Sequence, residues 1–275
     1  MRWTLLIILP LLATGGCSRT DFAEEGRSAR TAAAATASAP VSTHTGQSSS
    51  VMARSNGAKA VAQADSVLEY RFSYPATAGR IPQLAQQIDA RAEEARIAAR
   101  SAAEADRATA ESDGYPFRPH YLSLEWTVVA DLPDWLSLSN AIATYTGGAH
   151  GMSGVESLVW DKRNGRALDA VSMFTSPEAL DQAVRARYCR ALDVQRRERR
   201  GGDRLGGEFD ECPAVTALTV LPGSGNGRTF DRLTLYAGPY VAGPYAEGSY
   251  EIAVPVDAAV MAAVRPQYRS AFSGQ

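Results

Sequence analysis

The stretch from residue 140 to residue 154 constrains the fold of this chain more than any other. It reads Asn140-Ala-Ile-Ala-Thr-Tyr-Thr-Gly-Gly-Ala-His-Gly-Met-Ser-Gly154. The residues before the glycines are typical of a strand that ends near Tyr145, and residues 155–160 are typical of another. Four glycines and His150 separate the two strands, so the chain turns here on unusual backbone. The sequence therefore predicts two strands joined by a glycine-rich turn that carries a histidine.

An export signal is predicted at the N-terminus. Arg2 precedes an apolar run over residues 5–12, and small residues then lead to Cys17. The run is shorter than the roughly 20 residues of a membrane-spanning helix. It is similar to a bacterial lipobox, in which the cysteine is lipidated, although Thr14 replaces the usual aliphatic residue. An ordinary secretory signal cleaved near Gly16, with Cys17 incidental, is the alternative.

The lipobox resemblance also implies a location. Ser18 rather than aspartate follows the cysteine, which is typical of lipoproteins sorted to the outer membrane of a two-membraned bacterium. We therefore expect residues 1–17 to be a signal peptide with its lipobox, and the protein to be held at the periplasmic face of the outer membrane. Without the anchor it is expected in the periplasm. The formal charge of −2 gives no basic field for nucleic acid.

Three further regions follow the signal. Residues 18–65 are dominated by Ala, Ser and Thr, which bury too little apolar surface to fold, and a disordered tether is predicted. Residues 66–139 are typical of a β-α-β-β subdomain with a long helix from about residue 81. Residues 140–275 form the predicted C-terminal domain, whose main helix begins after Ser176. The expected fold class is α+β, with antiparallel sheets, a long N-terminal helix, a second helix and two packed subdomains.

Two cysteines lie in the C-terminal part. In an exported chain whose Cys17 is lipidated, Cys189 and Cys212 most simply form one disulfide. Two free buried thiols are the alternative. The helix that carries Cys189 ends in the arginine-rich run of residues 196–200. That run indicates either cations favoured at a helix C-terminus or an anion-binding patch, and the first interpretation is preferred.

Two separated blocks resemble one family. Residues 145–151, Tyr-Thr-Gly-Gly-Ala-His-Gly, resemble the signature of a domain of unknown function. That domain occurs in the extracellular part of RsiV-type anti-sigma factors and beside the catalytic domain of PdaC-type peptidoglycan deacetylases. Residues 236–248 are similar to the second block of the same family. The strand, helix and hairpin of residues 67–145 resemble the companion domain that precedes it, so the likeness spans about residues 66–272.

The resemblance implies a function in the cell envelope. We expect a non-catalytic binding module for a cell-wall glycan such as peptidoglycan, or for a protein such as lysozyme. A periplasmic hydrolase with His150 in its site, or a purely structural envelope protein, is the alternative. The candidate ligand-binding residues are Tyr145, Gly147, Gly148, His150, Tyr240 and Tyr245. The tyrosines of the second block can equally be core residues of a rigid corner.

The sequence predicts no catalytic residues, metal or cofactor. His44, His120 and His150 have no paired spacing for zinc. The glycines of residues 223–227 lack the Gly-Lys-Ser/Thr ending of a phosphate loop, so no nucleotide is expected. His150 has no acid partner that the sequence can assign, and its ring is expected to hydrogen-bond backbone within the glycine turn. The chain is therefore expected to bind rather than to catalyse.

Overall fold

A computed structural model describes residues 49–274, which fold around two β-sheets. The strands are β1 Ser49–Ser55, β2 Ala58–Ala64, β3 Leu68–Tyr74, β4 His120–Asp131, β5 Trp135–Tyr145, β6 Met152–Asp161, β7 Arg166–Leu168, β8 Thr219–Gly223, β9 Arg232–Ala237 and β10 Tyr250–Pro255. The helices are α1 Ala76–Gly79, α2 Pro82–Asp113, α3 Pro177–Arg199 and α4 Ala258–Ala263. Short 3-10 helices lie at Ala170–Met173, Gly207–Asp210, Val215–Ala217, Tyr245–Glu247 and Pro266–Ala271.

The long helix α2 places β3 beside β4. These two strands are parallel, with Leu68 opposite His120, and a parallel pair needs a crossover of this kind. Every other neighbouring pair is antiparallel. Pro82 occupies the first turn of α2, and Gly114 ends the helix in the left-handed region with φ 75°. The predicted α+β class is confirmed, with this one parallel pair in sheets that were expected to be antiparallel.

Residues 49–64 form a β-hairpin, and their assignment to the disordered tether was wrong. Ser49 pairs with Ala64, and the two strands continue to Ser55 opposite Ala58. Asn56 and Gly57 have φ values of 48° and 92°, as a two-residue type I′ turn requires. β1 and β2 consist largely of serine and alanine, so the sequence beside the Asn-Gly turn lacks the large apolar residues that would predict strands.

The remaining residues of the predicted signal and tether, 1–48, lie outside the described part of the chain, and so does Cys17. Within residues 49–274, no helix combines the length and the hydrophobicity needed to cross a membrane. The lipid anchor therefore stays a prediction.

Strand β6 contributes to two hydrophobic cores. Leu158 and Trp160 belong to the core under α2, and Val159 between them belongs to the core of the C-terminal half. This alternation is what a strand with both faces covered produces. The core under α2 also holds Leu84 and Ile88, both fully buried.

The second core packs α3 against the three-stranded sheet, whose order is β10-β9-β8. One face of α3 is buried in this core, and its four residues at helical spacing are at most 1% exposed: Leu180, Val184, Tyr188 and Leu192. Ser176 caps the helix by accepting a hydrogen bond of 3.1 Å from the Ala179 N–H.

The predicted boundary between residues 139 and 140 falls inside β5. The seven-stranded sheet continues through it from β1 to β7. Both predicted parts therefore contribute strands to one sheet, and the glycine turn follows directly from the strand that crosses between them.

Candidate functional site

The glycine turn is a loop between β5 and β6. The two strands remain paired as far as Thr144 opposite Met152, so the loop is closed tightly at its base. Gly147 has φ 83°, a conformation that favours glycine. At Gly151 an added Cβ would lie 2.6 Å from the Thr144 carbonyl oxygen. Gly148 and Gly154 have open space around them, so backbone geometry accounts for only two of the four glycines.

The His150 ring makes polar contacts through both nitrogens. Its Nδ1 lies 2.9 Å from the Gly151 carbonyl oxygen. A carbonyl only accepts, so Nδ1 carries the proton in this bond. Nε2 then accepts from the Tyr240 hydroxyl at 3.4 Å. The predicted hydrogen bond from the ring to the turn backbone is confirmed. The second contact, to a residue 90 positions later, joins the two sequence blocks.

A group of three rings lies beside the turn, and we call it the aromatic cluster: His150, Tyr240 and Tyr245. The His150 and Tyr245 rings are stacked, with centroids 3.8 Å apart and planes at 21°. Tyr240 lies 5.8 Å from Tyr245. His150 is exposed, Tyr245 is half-buried and Tyr240 is 49% exposed. The cluster is therefore an ordered aromatic surface that solvent reaches.

The three tyrosines of the second block and Tyr250, just after it, divide between the two interpretations left open by the sequence. Tyr236 is 7% exposed and Tyr250 is fully buried, so both are core residues. Tyr240 and Tyr245 form the surface described above. No single assignment therefore fits all four.

Tyr240 is held in a strained backbone conformation. Its φ is 69°, and a bulky residue in the left-handed region is a true outlier. The conformation costs about 1–2 kcal/mol relative to the right-handed region. Such outliers cluster at functional sites, where the surrounding structure holds them in place.

Tyr145, Gly147 and Gly148 take a different position from the aromatic cluster. The Tyr145 hydroxyl accepts a hydrogen bond of 3.4 Å from Arg118 Nη1. Gly147 and Gly148 line a depression of 360 Å³ together with Phe117. The structure therefore brings His150, Tyr240 and Tyr245 together. It places Gly147 and Gly148 at a separate depression, and Tyr145 contacts Arg118, another residue of that depression.

Three arginines at the end of α3 hold the second block in place. Arg196 Nε donates to the Ala242 carbonyl at 2.9 Å. Arg199 Nη1 donates to the carbonyls of Glu247 at 2.5 Å and Ser249 at 2.7 Å. The Arg200 side chain, 4% exposed, pairs with the Glu247 carboxylate at 2.8 Å. These arginines are structural cations that fix the segment carrying Tyr245.

Glu247 is the acceptor at the centre of this arrangement. Its carboxylate takes two hydrogen bonds from Arg200, at 2.8 and 3.0 Å, and one from the Tyr250 hydroxyl. Burial raises the pKa of Glu247, but the hydrogen bonds from Arg200 and Tyr250 and the arginine charges outweigh it, so the pKa lies below its ordinary value. At Gly243 an added Cβ would overlap Glu247 Oε2. The network therefore depends on that glycine.

The disulfide closes the glycine-rich loop after α3. Cys189 and Cys212 are bonded, with Cα atoms 5.5 Å apart, as the sequence predicts. On the same loop, Arg200 Nη1 donates to Asp210 Oδ1 at 2.7 Å. The disulfide and the Arg200–Asp210 ion pair therefore both connect this loop to the end of α3.

The aromatic cluster has the composition of a binding surface. Nε2 of His150 is the ring nitrogen that could take a proton, and it accepts from the Tyr240 hydroxyl at 3.4 Å. Residues 49–274 contain no group of three or more His, Cys, Asp or Glu side chains placed to hold a metal ion. The site provides exposed ring surface, two tyrosine hydroxyls and an exposed glycine loop.

We call Arg196, Arg199 and Arg200, with their contacts to the second block, the arginine clamp. It is the part of the site that the sequence analysis did not predict. The spacing of Arg196, Arg199 and Arg200 at three and four residues indicates one helix face. That pattern could have shown that they share a target. Their targets, Glu247 and nearby carbonyls, lie 46 to 50 residues later, where helix periodicity gives no information.

Comparisons with known proteins find a family match for part of the chain. Residues 61–153 match the family model described as Deacetylase PdaC. A search of curated proteins found no match. One solved structure, a DUF3298 family member from Bacteroides fragilis NCTC 9343, is 20% identical, with 76% of this chain and 89% of that chain covered and a TM-score of 0.43. A DUF3298 family protein from Pseudomonas aeruginosa PAO1 is 19% identical, with 84% and 96% covered and a TM-score of 0.46.

The PdaC match begins in β2 and ends just beyond His150. The match therefore covers the predicted companion domain of residues 67–145 and the first sequence block, residues 145–151. The family's name refers to a deacetylase, but the match does not assign deacetylase activity to this chain. The predicted resemblance is confirmed at this level: residues 61–153 are similar to the PdaC family.

Proposed function

We propose that this protein is a non-catalytic binding module of the cell envelope and that its ligand is a cell-wall glycan. The observation that carries the proposal is the aromatic cluster, in which His150 and Tyr245 stack at 3.8 Å and Tyr240 stands 49% exposed beside them. Flat rings with polar tips suit a sugar, because the ring takes the carbon face and the hydroxyl takes the polar edge.

The architecture of the cluster favours recognition over packing. Tyr240 keeps half of its surface in solvent although its backbone conformation is costly. The arginine clamp then holds the neighbouring segment rigid. Pre-organised aromatic groups lose little conformational entropy on binding, which is where much of the cost of binding lies.

Removing a ring of the cluster should weaken glycan binding without unfolding the protein. In Tyr240→Gly, relief of the left-handed strain offsets the greater chain entropy of glycine, so the free energy of unfolding should change by less than about 1 kcal/mol. Binding to insoluble peptidoglycan should fall about tenfold or more, as for an aromatic anchor at an interface. Co-sedimentation of the full chain with purified peptidoglycan measures this.

The control for this experiment is Tyr121→Ala. Tyr121 is half-buried like Tyr245, but it lies on β4 against the Arg71 guanidinium. This variant should sediment like the parent chain, and Tyr245→Ala should not. Failure of the folded parent chain to sediment with peptidoglycan would contradict the proposal. Capture of lysozyme instead, lost in Tyr240→Gly, would assign the same surface to a protein ligand.

We also propose that Cys17 carries a lipid that anchors the protein to the membrane. The support is the apolar run of residues 5–12 followed by small residues and cysteine. A chain tethered in this way would present its folded part, from Ser49 onward, towards the cell wall.

Loss of the anchor should move the protein between cell fractions. In a bacterial host, Cys17→Ala should shift the chain from the membrane fraction to the soluble fraction, because the buried acyl chains that hold it are gone. Incorporation of labelled palmitate should disappear in the same variant. Ser18→Ala is the matched control and should stay membrane-bound and labelled. A parent chain that takes up no palmitate would favour the ordinary secretory signal.

A further inference from the structure

A cleft of 620 Å³ lies between α2 and the seven-stranded sheet. Its floor is formed by side chains of β4 and β5, which are Leu122, Leu124, Trp126, Asn140 and Ile142. Arg91, Ala92 and Ala95 of α2 line it, and so do residues 169–171 and 218–220. Its volume is within the usual range of small-molecule sites. It shares no lining residue with the aromatic cluster.

The cleft exists because the buried face of α2 becomes small. Leu84 and Ile88 fill the space between helix and sheet at the start of α2. One turn later the same face carries Ala92 and then Ala95. A methyl group cannot span the gap that a leucine fills, so packing density falls at this point. The strands below continue unchanged, and an open volume results.

Asn140 stands in this cleft with an unused acceptor. The residue is 3% exposed, and its Oδ1 has no hydrogen-bond partner. Its Nδ2 donates to Glu156 Oε2 on the neighbouring strand at 3.3 Å, and this bond fixes which end of the amide is oxygen. A buried acceptor without a donor costs about 1–3 kcal/mol. A ligand that brings an N–H or O–H group would remove that penalty.

The charges around the cleft favour a cation. Glu156 and Asp169 contribute two carboxylates to the lining, and Arg91 contributes one positive charge. Glu156 is exposed and is in contact with the Asn140 amide, so its carboxylate keeps acceptor capacity. Asp169 accepts from the Val171 N–H at 2.7 Å through one oxygen. The lining is therefore net negative and rich in acceptors.

We infer that this cleft is a binding site for a small organic ammonium ion with an apolar skeleton. The ammonium group has three donors and no acceptor. It would pair with Glu156 and supply the donor that Asn140 Oδ1 lacks. The apolar skeleton would lie on the floor formed by Leu122, Leu124 and Ile142.

Other ligand classes fit the lining less well. An anion would meet two carboxylates and would find its only side-chain cation in Arg91, which is exposed. A sugar could satisfy Asn140 Oδ1 through a hydroxyl, but it carries no positive charge to pair with Glu156. An alcohol could satisfy Asn140 but would gain nothing from the carboxylate charge. The charge of the ligand's head group, rather than its apolar skeleton, should therefore determine the affinity.

Three probes that share one skeleton test this inference on the full chain: phenylbutylamine, phenylbutanol and phenylbutyrate. Calorimetric titration should show the amine binding about tenfold or more tightly than the alcohol, with no binding of the carboxylate. Glu156→Gln keeps the shape of the side chain and the bond from Asn140 Nδ2. It should weaken amine binding about tenfold and leave alcohol binding unchanged.

Two further variants complete the experiment. Ala95→Leu should fill the cleft and abolish binding of both the amine and the alcohol. Glu125→Gln removes an exposed carboxylate from the opposite face of β4, and it should bind the amine like the parent chain. Melting temperatures verify that each variant is folded. Equal binding of the three probes, an unchanged amine affinity in Glu156→Gln, or no binding of any probe would each overturn the inference.

Discussion

Replacement of Arg200 by methionine should lower the free energy of unfolding by about 3–5 kcal/mol, the cost of leaving buried charges without their partner. Arg200 is 4% exposed and pairs with Glu247 at 2.8 Å and Asp210 at 2.7 Å, which are 12% and 13% exposed. Methionine has a similar length but no charge or donor. Urea unfolding at neutral pH measures the loss.

The loss should shrink in acid, because the stabilisation depends on the ionised carboxylates. The pKa of Glu247 lies below its ordinary value of 4.5 in the folded chain. A depressed carboxyl pKa contributes stability that is fully present above 4.5 and is lost as pH falls through the folded value. The parent chain and Arg200→Met should therefore become more alike below about pH 4.

The matched control is Arg197→Met, from the same arginine run. Arg197 is exposed on the last turn of α3, so its loss should cost less than about 0.5 kcal/mol. Arg200→Met should also weaken peptidoglycan binding, because Glu247 anchors the short helix Tyr245–Glu247. If the two arginine variants are equally stable, the clamp does not have the role described here.

The two long helices could be predicted from the sequence, but the β1–β2 hairpin could not. The expected helix starts, near residue 81 and after Ser176, agree with the observed starts of α2 at Pro82 and α3 at Pro177. The β1–β2 hairpin was missed because its strands are mostly alanine and serine. β2 pairs with the edge of β3, and β1 pairs with β2, so these strands depend on a tertiary contact that local sequence does not show.

The site was only partly predictable, for a related reason. The two blocks were matched to one family in the sequence, and the structure stacks His150 on Tyr245 across 95 residues of chain. Which tyrosines are core could not be derived, since Tyr236 and Tyr240 share the same glycine-proline surroundings. Their exposures of 7% and 49% follow from the backbone reversal at Tyr240, where φ becomes positive.

The second large effect expected is the loss of the disulfide. Replacement of both Cys189 and Cys212 by alanine should lower the free energy of unfolding by about 3 kcal/mol, the chain-entropy value for a loop of this length. The cysteines are 23 positions apart, and without the bond the unfolded chain gains that loop's freedom. Urea unfolding under oxidising conditions measures the difference, and reductant should destabilise the parent chain equally while leaving the variant unchanged.

The folded state should survive this change, because other bonds hold the loop. Arg196 Nη2 donates to the Glu211 carbonyl at 2.9 Å, and Arg185 Nη1 donates to the Cys212 carbonyl at 3.3 Å. The disulfide and Arg200 both restrain the segment that carries Asp210, so their effects should not add. Combining the cysteine replacements with Arg200→Met should therefore depart from the sum of the separate losses by about 0.5 kcal/mol or more. Strict additivity would mean that the disulfide and the arginine clamp stabilise this loop independently.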